Sequence, residues 1–132
     1  MTTELRKRGD FTKIILTGYL KDITNREEIS INTKAIKTAK KISYFQEKER
    51  YTIEIVSPKK LILNRVTDEI DTRLYFELNK TIPAIYTIKE NNLSLRINIR
   101  IKELEINDKY IKVTYTVMDS NNDYEYYIEM SE

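Results

Sequence analysis

From Leu93 onward the chain sets Leu93, Leu95, Ile97, Ile99 and Ile101 against Ser94, Arg96, Asn98, Arg100 and Lys102. A helix would scatter this period-two pattern around its circumference. A strand sends successive side chains to opposite faces, so every apolar residue of the run lands on one side. The same rhythm returns along most of the chain. Ile14, Leu16, Gly18 and Leu20 share a face, then Ile29, Ile31 and Thr33, then Ile42 and Tyr44, then Tyr51, Ile53 and Ile55, then Leu61 and Leu63. Ile70, Thr72, Leu74 and Phe76 follow, with Ala84, Tyr86 and Ile88 before the Leu93 run. Ile111, Val113, Tyr115 and Val117, and finally Tyr124, Tyr126, Ile128 and Met130, complete the series. About ten strands joined by short links imply antiparallel neighbours.

The links carry their own chemistry. Asn25, Thr67-Asp68, Asn91-Asn92, Asn107-Asp108 and Asn121-Asn122-Asp123 stand between the strand runs. Asn and Asp tolerate positive φ better than other non-glycine residues, and a chain with 2 glycines needs that tolerance. Apolar parity slips by one residue between Ile101 and Leu104, which predicts a β-bulge or strand break at Lys102-Glu103. Thr33 to Ile42 is ambiguous between strand and short amphipathic helix, since Ala35 and Ala39 sit among Lys34, Lys37, Lys40 and Lys41. The expectation is an all-β domain over 11–132, an antiparallel meander closed into a barrel because closure alone removes exposed edges. Residues 1–10 are expected to form a flexible basic arm.

Composition excludes more than it assigns. With 132 residues, one core can form without staples. Cys and His are both absent, which removes thiolate nucleophiles, Cys-based zinc sites and the usual general base near neutral pH. No Gly-x-Ser-x-Gly elbow is present. Carboxylate pairs such as Glu47 with Glu49 sit where turns are expected, so no enzyme activity, metal or cofactor is predicted. Lys plus Arg number 23 against 21 Asp plus Glu, a balance that offers nucleic acid no strong electrostatic attraction. The 10 tyrosines suit half-buried strand faces. No apolar run is long enough to span a membrane, and Arg6, Lys7 and Arg8 precede no apolar signal segment. A cytoplasmic bacterial protein is expected.

Several stretches together resemble the YwiB-like family of small bacterial proteins. They are Tyr44-Phe45-Gln46-Glu47, Leu61-Ile62-Leu63-Asn64-Arg65, Leu74-Tyr75-Phe76, Tyr86 ahead of Asn91-Asn92, Leu93-Ser94-Leu95, and Ile111-Lys112-Val113-Thr114-Tyr115. Their order and spacing fit over roughly residues 12 to 130. The resemblance implies a calycin, or lipocalin-like, barrel and a family without an assigned activity.

Arg65 is the first candidate for a functional residue. It shares parity with Leu61 and Leu63 and should point inward, where a charge must be paired or hydrogen-bonded. Glu47, lumenal water or an anionic ligand head are the candidate partners. Thr72, Tyr86 and Tyr115 share the interior by parity, and Tyr44 joins them through the resemblance. Lipocalin-like barrels use an interior Arg and Tyr in this way, which implies a small amphiphilic or anionic ligand. The rival reading is a protein–protein or RNA interaction module with a filled core; oligomeric state is left open.

Overall fold

Closure of the chain on itself rests on its first described strand. The structure, a computed structural model, describes residues 11–132; the expected basic arm of residues 1–10 lies outside them. β1 (Thr12–Asp22) pairs on one side with β2 (Glu27–Lys37), from Thr12↔Lys37 to Asp22↔Glu27. On its other side it pairs with β10 (Asn122–Ser131), from Ile15↔Ser131 to Asp22↔Tyr124. Between them run β3 (Lys41–Gln46), β4 (Glu49–Ser57), β5 (Lys60–Val66), β6 (Ile70–Glu77), β7 (Thr81–Ile88), β8 (Leu93–Ile106) and β9 (Tyr110–Val117). Every neighbouring pair is antiparallel and follows chain order, so these strands form an antiparallel meander barrel. Among the described residues no helix is long and apolar enough to cross a membrane.

Period two decides which residues enter the core. Leu16, Ile53, Leu61, Phe76, Ile111 and Ile128 are fully buried. They come from six different strands and fill the interior with aliphatic and aromatic side chains. The parity slip after Ile101 is a true register shift: Ile101 faces Tyr115, Glu103 faces Thr114, and Leu104 faces Val113. One extra residue restores Leu104 to the apolar side. A second irregularity lies between Ile55 and Ser57. Positive φ occurs at Asn79, Asn92 and Asn121, where asparagine takes the place of glycine, and also at Arg26 and Glu47.

Over Thr33 to Ile42 the strand alternative holds and the helix does not. β2 runs on to Lys37, a turn closes through the Thr38 N–H donating to the Lys41 carbonyl at 2.8 Å, and β3 begins at Lys41. Ala35 is buried between Ile14 on β1 and Tyr44 on β3. Pairing on both sides outweighs a helix propensity worth only tenths of a kcal/mol per residue.

Gly18 marks the tightest point of the seam. It sits opposite Ile128, and a Cβ built on it would fall 1.9 Å from the Tyr127 carbonyl oxygen. That obstacle is backbone, so no rotamer change relieves it. Gly18→Ala is expected to push β1 away from β10 and lower stability by roughly 3 kcal/mol, the upper range of overpacking effects. A denaturant midpoint unchanged from wild type would show that the seam tolerates the methyl group.

Candidate functional site

The meander brings the turns β1–β2, β3–β4, β5–β6, β7–β8 and β9–β10 to one end of the barrel. Inward-facing residues near that end form a belt of directly opposed pairs. Ala35 faces Tyr44, Tyr44 faces Tyr51, and Tyr51 faces Arg65. Arg65 faces Thr72, Thr72 faces Tyr86, and Tyr86 faces Leu95. Strict alternation on seven successive strands, β2 to β8, puts all of these side chains on one face. Tyr44, Arg65, Thr72 and Tyr86 are thereby placed along one arc, and Tyr115 enters from β9 beside Tyr124 and Phe76, at ring-centroid distances of 5.5 and 5.1 Å.

Glu47 does not join them. It is exposed in the β3–β4 turn with φ of 57°, because the strand ends one residue earlier and the chain must reverse there. The carboxylate that answers Arg65 is Glu49, the first residue of β4. Arg65 Nε donates to Glu49 Oε1 at 2.9 Å and Arg65 Nη2 donates to Glu49 Oε2 at 2.7 Å. This two-point fork is the strongest geometry available to the pair. Tyr51 Oη donates to Glu49 Oε1 at 2.8 Å, and the guanidinium lies 6.0 Å from the centroid of the Tyr51 ring. Tyr51 in turn stacks on Tyr44 at 4.8 Å with the planes 2° apart. Tyr44 and Tyr126 share a buried hydroxyl–hydroxyl hydrogen bond.

The electrostatics follow from that network. Hydrogen bonds from Arg65 hold the Glu49 carboxyl below its ordinary value, and the same pairing raises the Arg65 guanidinium. Burial, assisted by the Glu49 hydrogen bond, pushes Tyr51 up to about 12. Burial also raises Tyr86, Tyr115, Tyr44 and Tyr126. At neutral pH the belt therefore holds one cation, one anion and a set of protonated phenols, with no net charge.

Below this belt the interior is packed. Above it, four inward-facing apolar residues stay open to solvent: Ile29 at 56%, Ile70 at 38%, Leu93 at 53% and Leu95 at 49% exposure. The hydroxyls of Thr72, Tyr86 and Tyr115 have no hydrogen-bond partner among the described residues, yet no buried side-chain polar atom among those residues is orphaned. The inner face at this end of the barrel thus carries exposed apolar residues above a buried or half-buried polar layer. Among the described residues no cluster of three or more acidic side chains is placed to bind a metal.

Glu49 escapes a reading that begins β4 at Tyr51, whereas Tyr51 and Tyr126 are placed on strand faces by the alternation but not among the candidate site residues. Parity extended two residues back would have found Glu49, since 49, 51 and 53 share a face.

No family model and no curated protein matches the chain. Among solved structures it is similar to the crystal structure of the YwiB protein from Bacillus subtilis, with a TM-score of 0.68 and 14% identity. The alignment covers 95% of this chain and 96% of that one. The likeness is therefore one of fold along nearly the whole length.

The raised phenols make the barrel sensitive to alkali. A tyrosine whose pKa is higher folded than unfolded contributes stability that is fully present below its unfolded value, here 10.0, and is lost as pH rises through the folded value. Phenolate absorbance titration should show Tyr19, Tyr51 and Tyr127 ionising near about 12. Tyr44, Tyr115 and Tyr126 should ionise only with loss of the fold. Complete ionisation near pH 10.0 with circular dichroism unchanged would contradict the burial described for Tyr44.

Proposed function

We propose that this chain is a non-enzymatic, calycin-like binding protein of the bacterial cytoplasm that takes a small amphiphilic molecule at the turn end of its barrel. One observation carries the reading: Ile29, Ile70, Leu93 and Leu95 face inward yet remain exposed around a polar floor. Apolar surface on the concave side of a barrel invites a partner that covers it. Arg65, Thr72, Tyr86 and Tyr115 supply hydrogen bonds to the ligand's head. Tyr44 and Glu49 act one step removed, Tyr44 by stacking behind Tyr51 and Glu49 by holding the guanidinium in place.

The Arg65–Glu49 pair sets the preferred head group. An anionic head must compete with Glu49 for the guanidinium, whereas a neutral head can use the remaining N–H groups and the phenols without breaking the fork. The ligand class supported best is an uncharged amphiphile with hydroxyl or carbonyl groups at one end. A second reading, an interaction module without a small-molecule ligand, draws support from the packed interior around Phe76 and Ile53.

The test uses a fluorescent long-chain alcohol and the corresponding fatty acid. Wild type should bind the alcohol, and Arg65→Met should weaken it at least about tenfold while leaving the protein folded. Arg65 and Glu49 are both partly exposed, so the substitution should cost no more than about 1 kcal/mol of stability. Glu49→Gln should release the guanidinium and strengthen fatty-acid binding several-fold. Equal affinity of wild type and Arg65→Met for both probes would remove Arg65 from the site.

A further inference from the structure

The barrel closes, but one ladder in it is short. β2 pairs with β1 along its whole length, yet meets β3 only at Ala35↔Tyr44, Ile36↔Ser43 and Lys37↔Ile42. Among the described residues, the side of β2 turned toward β3 has no strand partner from Thr33 back to Glu27. Two side chains bridge the start of the gap: Thr33 Oγ1 donates to the Phe45 carbonyl at 3.1 Å, and Gln46 Nε2 donates to the Ser30 carbonyl at 2.7 Å. The Ser30 carbonyl thus faces the gap, and by the two-residue repeat so do the main-chain groups of Asn32, whereas the Lys34 carbonyl is taken by β3 next to the Ala35↔Tyr44 pair. Closure normally removes free edges from a barrel; here a stretch of edge survives.

An apolar groove of about 590 Å³ lies beside this edge on the outer face. Ile15, Ile36 and Phe45 line it and are 43%, 47% and 64% exposed. Lys13 and Lys34 flank them, Arg50 sits opposite Phe45 on β4, and Glu132 stands at the margin. Two independent features therefore meet: unpaired main-chain donors and acceptors in register, and outward apolar contacts with a cationic border. The first calls for another backbone, the second for alternate apolar side chains and acidic neighbours.

We infer that the free edge of β2 is a docking site for an extended segment of a partner polypeptide, alternately apolar and acidic, that adds as a strand to β2 beyond the tip of the β3–β4 hairpin. Its main chain pairs with Ser30 and Asn32, displacing the Gln46 bridge. Its outward apolar residues, roughly 7 Å apart along a strand, reach Phe45 at the hairpin end, and its carboxylates meet Lys34 and Arg50. This is strand addition, in which hydrogen bonds supply affinity and side-chain pockets supply selectivity. The site is separate from the inner-face residues at the barrel mouth and stands whether or not they bind an amphiphile.

The probe is a synthetic peptide of alternating valine and glutamate, with a valine–lysine peptide as control. Calorimetric titration should detect the acidic peptide and not the basic one. Amide exchange should slow at Ser30 and Asn32. Asn32→Pro removes an N–H that faces the gap and leaves the β1 ladder intact, so it should weaken binding by roughly tenfold, the scale of a lost main-chain hydrogen bond or two. Phe45→Ser, which alters no backbone, should weaken it as well and covers the case in which the proline variant misfolds. Equal binding of both peptides, or full affinity in both variants, would overturn the proposal. So would a wild-type dimer that Asn32→Pro converts to monomer, because the edge would then serve a second copy of the chain. A fatty-acid probe that fills the groove and excludes the peptide without slowing those amides would overturn it too.

Discussion

β1 touches β10 more closely than any side chain but hydrogen would allow, and the interior exists because of that approach. An open sheet of the same ten strands would expose two long edges and leave Ile14, Leu16 and Ile128 without the opposite wall that buries them. With β1 paired on both sides, every strand acquires an inside and an outside. Arg65 faces inward only in that sense: its parity on β5 carries no consequence until the far wall is present.

Closure also explains the division between floor and mouth. The strands are long enough to surround a packed interior, and the side chains of Phe76, Tyr126 and Tyr44 occupy it. Toward the β1–β2, β5–β6 and β7–β8 turns the wall is uneven. β8 begins at Leu93, yet its pairing with β9 begins only at Ile99, so Leu93 and Leu95 project past the neighbouring hairpin. β2 likewise outruns the β3–β4 hairpin, which turns back at Glu47. Unequal strand lengths thus produce both an apolar rim on the inner side and a length of unpaired edge on the outer side. At this end of the barrel the fork between Arg65 and Glu49 cancels charge where a lone guanidinium would have dominated.

Much of this was legible before any coordinates. The bulge near Lys102 announces itself as a parity slip, because an extra residue must appear where apolar positions change from odd to even. Asn79, Asn92 and Asn121 take positive φ in a chain poor in glycine. The inward direction of Arg65 and Tyr86 is a counting result. The partner of Arg65 was not, since Glu47 and Glu49 stand two residues apart at a turn, and only the turn position decides which one belongs to a strand. The segment around Ala35 was ambiguous for a similar reason: four lysines and two alanines satisfy a helix locally, and only pairing with Ile14 and Tyr44 excludes it.

What the amino-acid order settles alone is the sidedness of each strand and the places where the chain must turn, because both depend on short-range geometry of the pleat and on local backbone preference. What the tertiary structure decides is which sides meet. The Arg65–Glu49 fork, the stacking of Tyr44 on Tyr51, the need for hydrogen at position 18 and the unmatched length of β2 all arise between strands whose relative register is set by packing and closure. No local preference encodes those distances, since they belong to pairs of segments and not to any one of them.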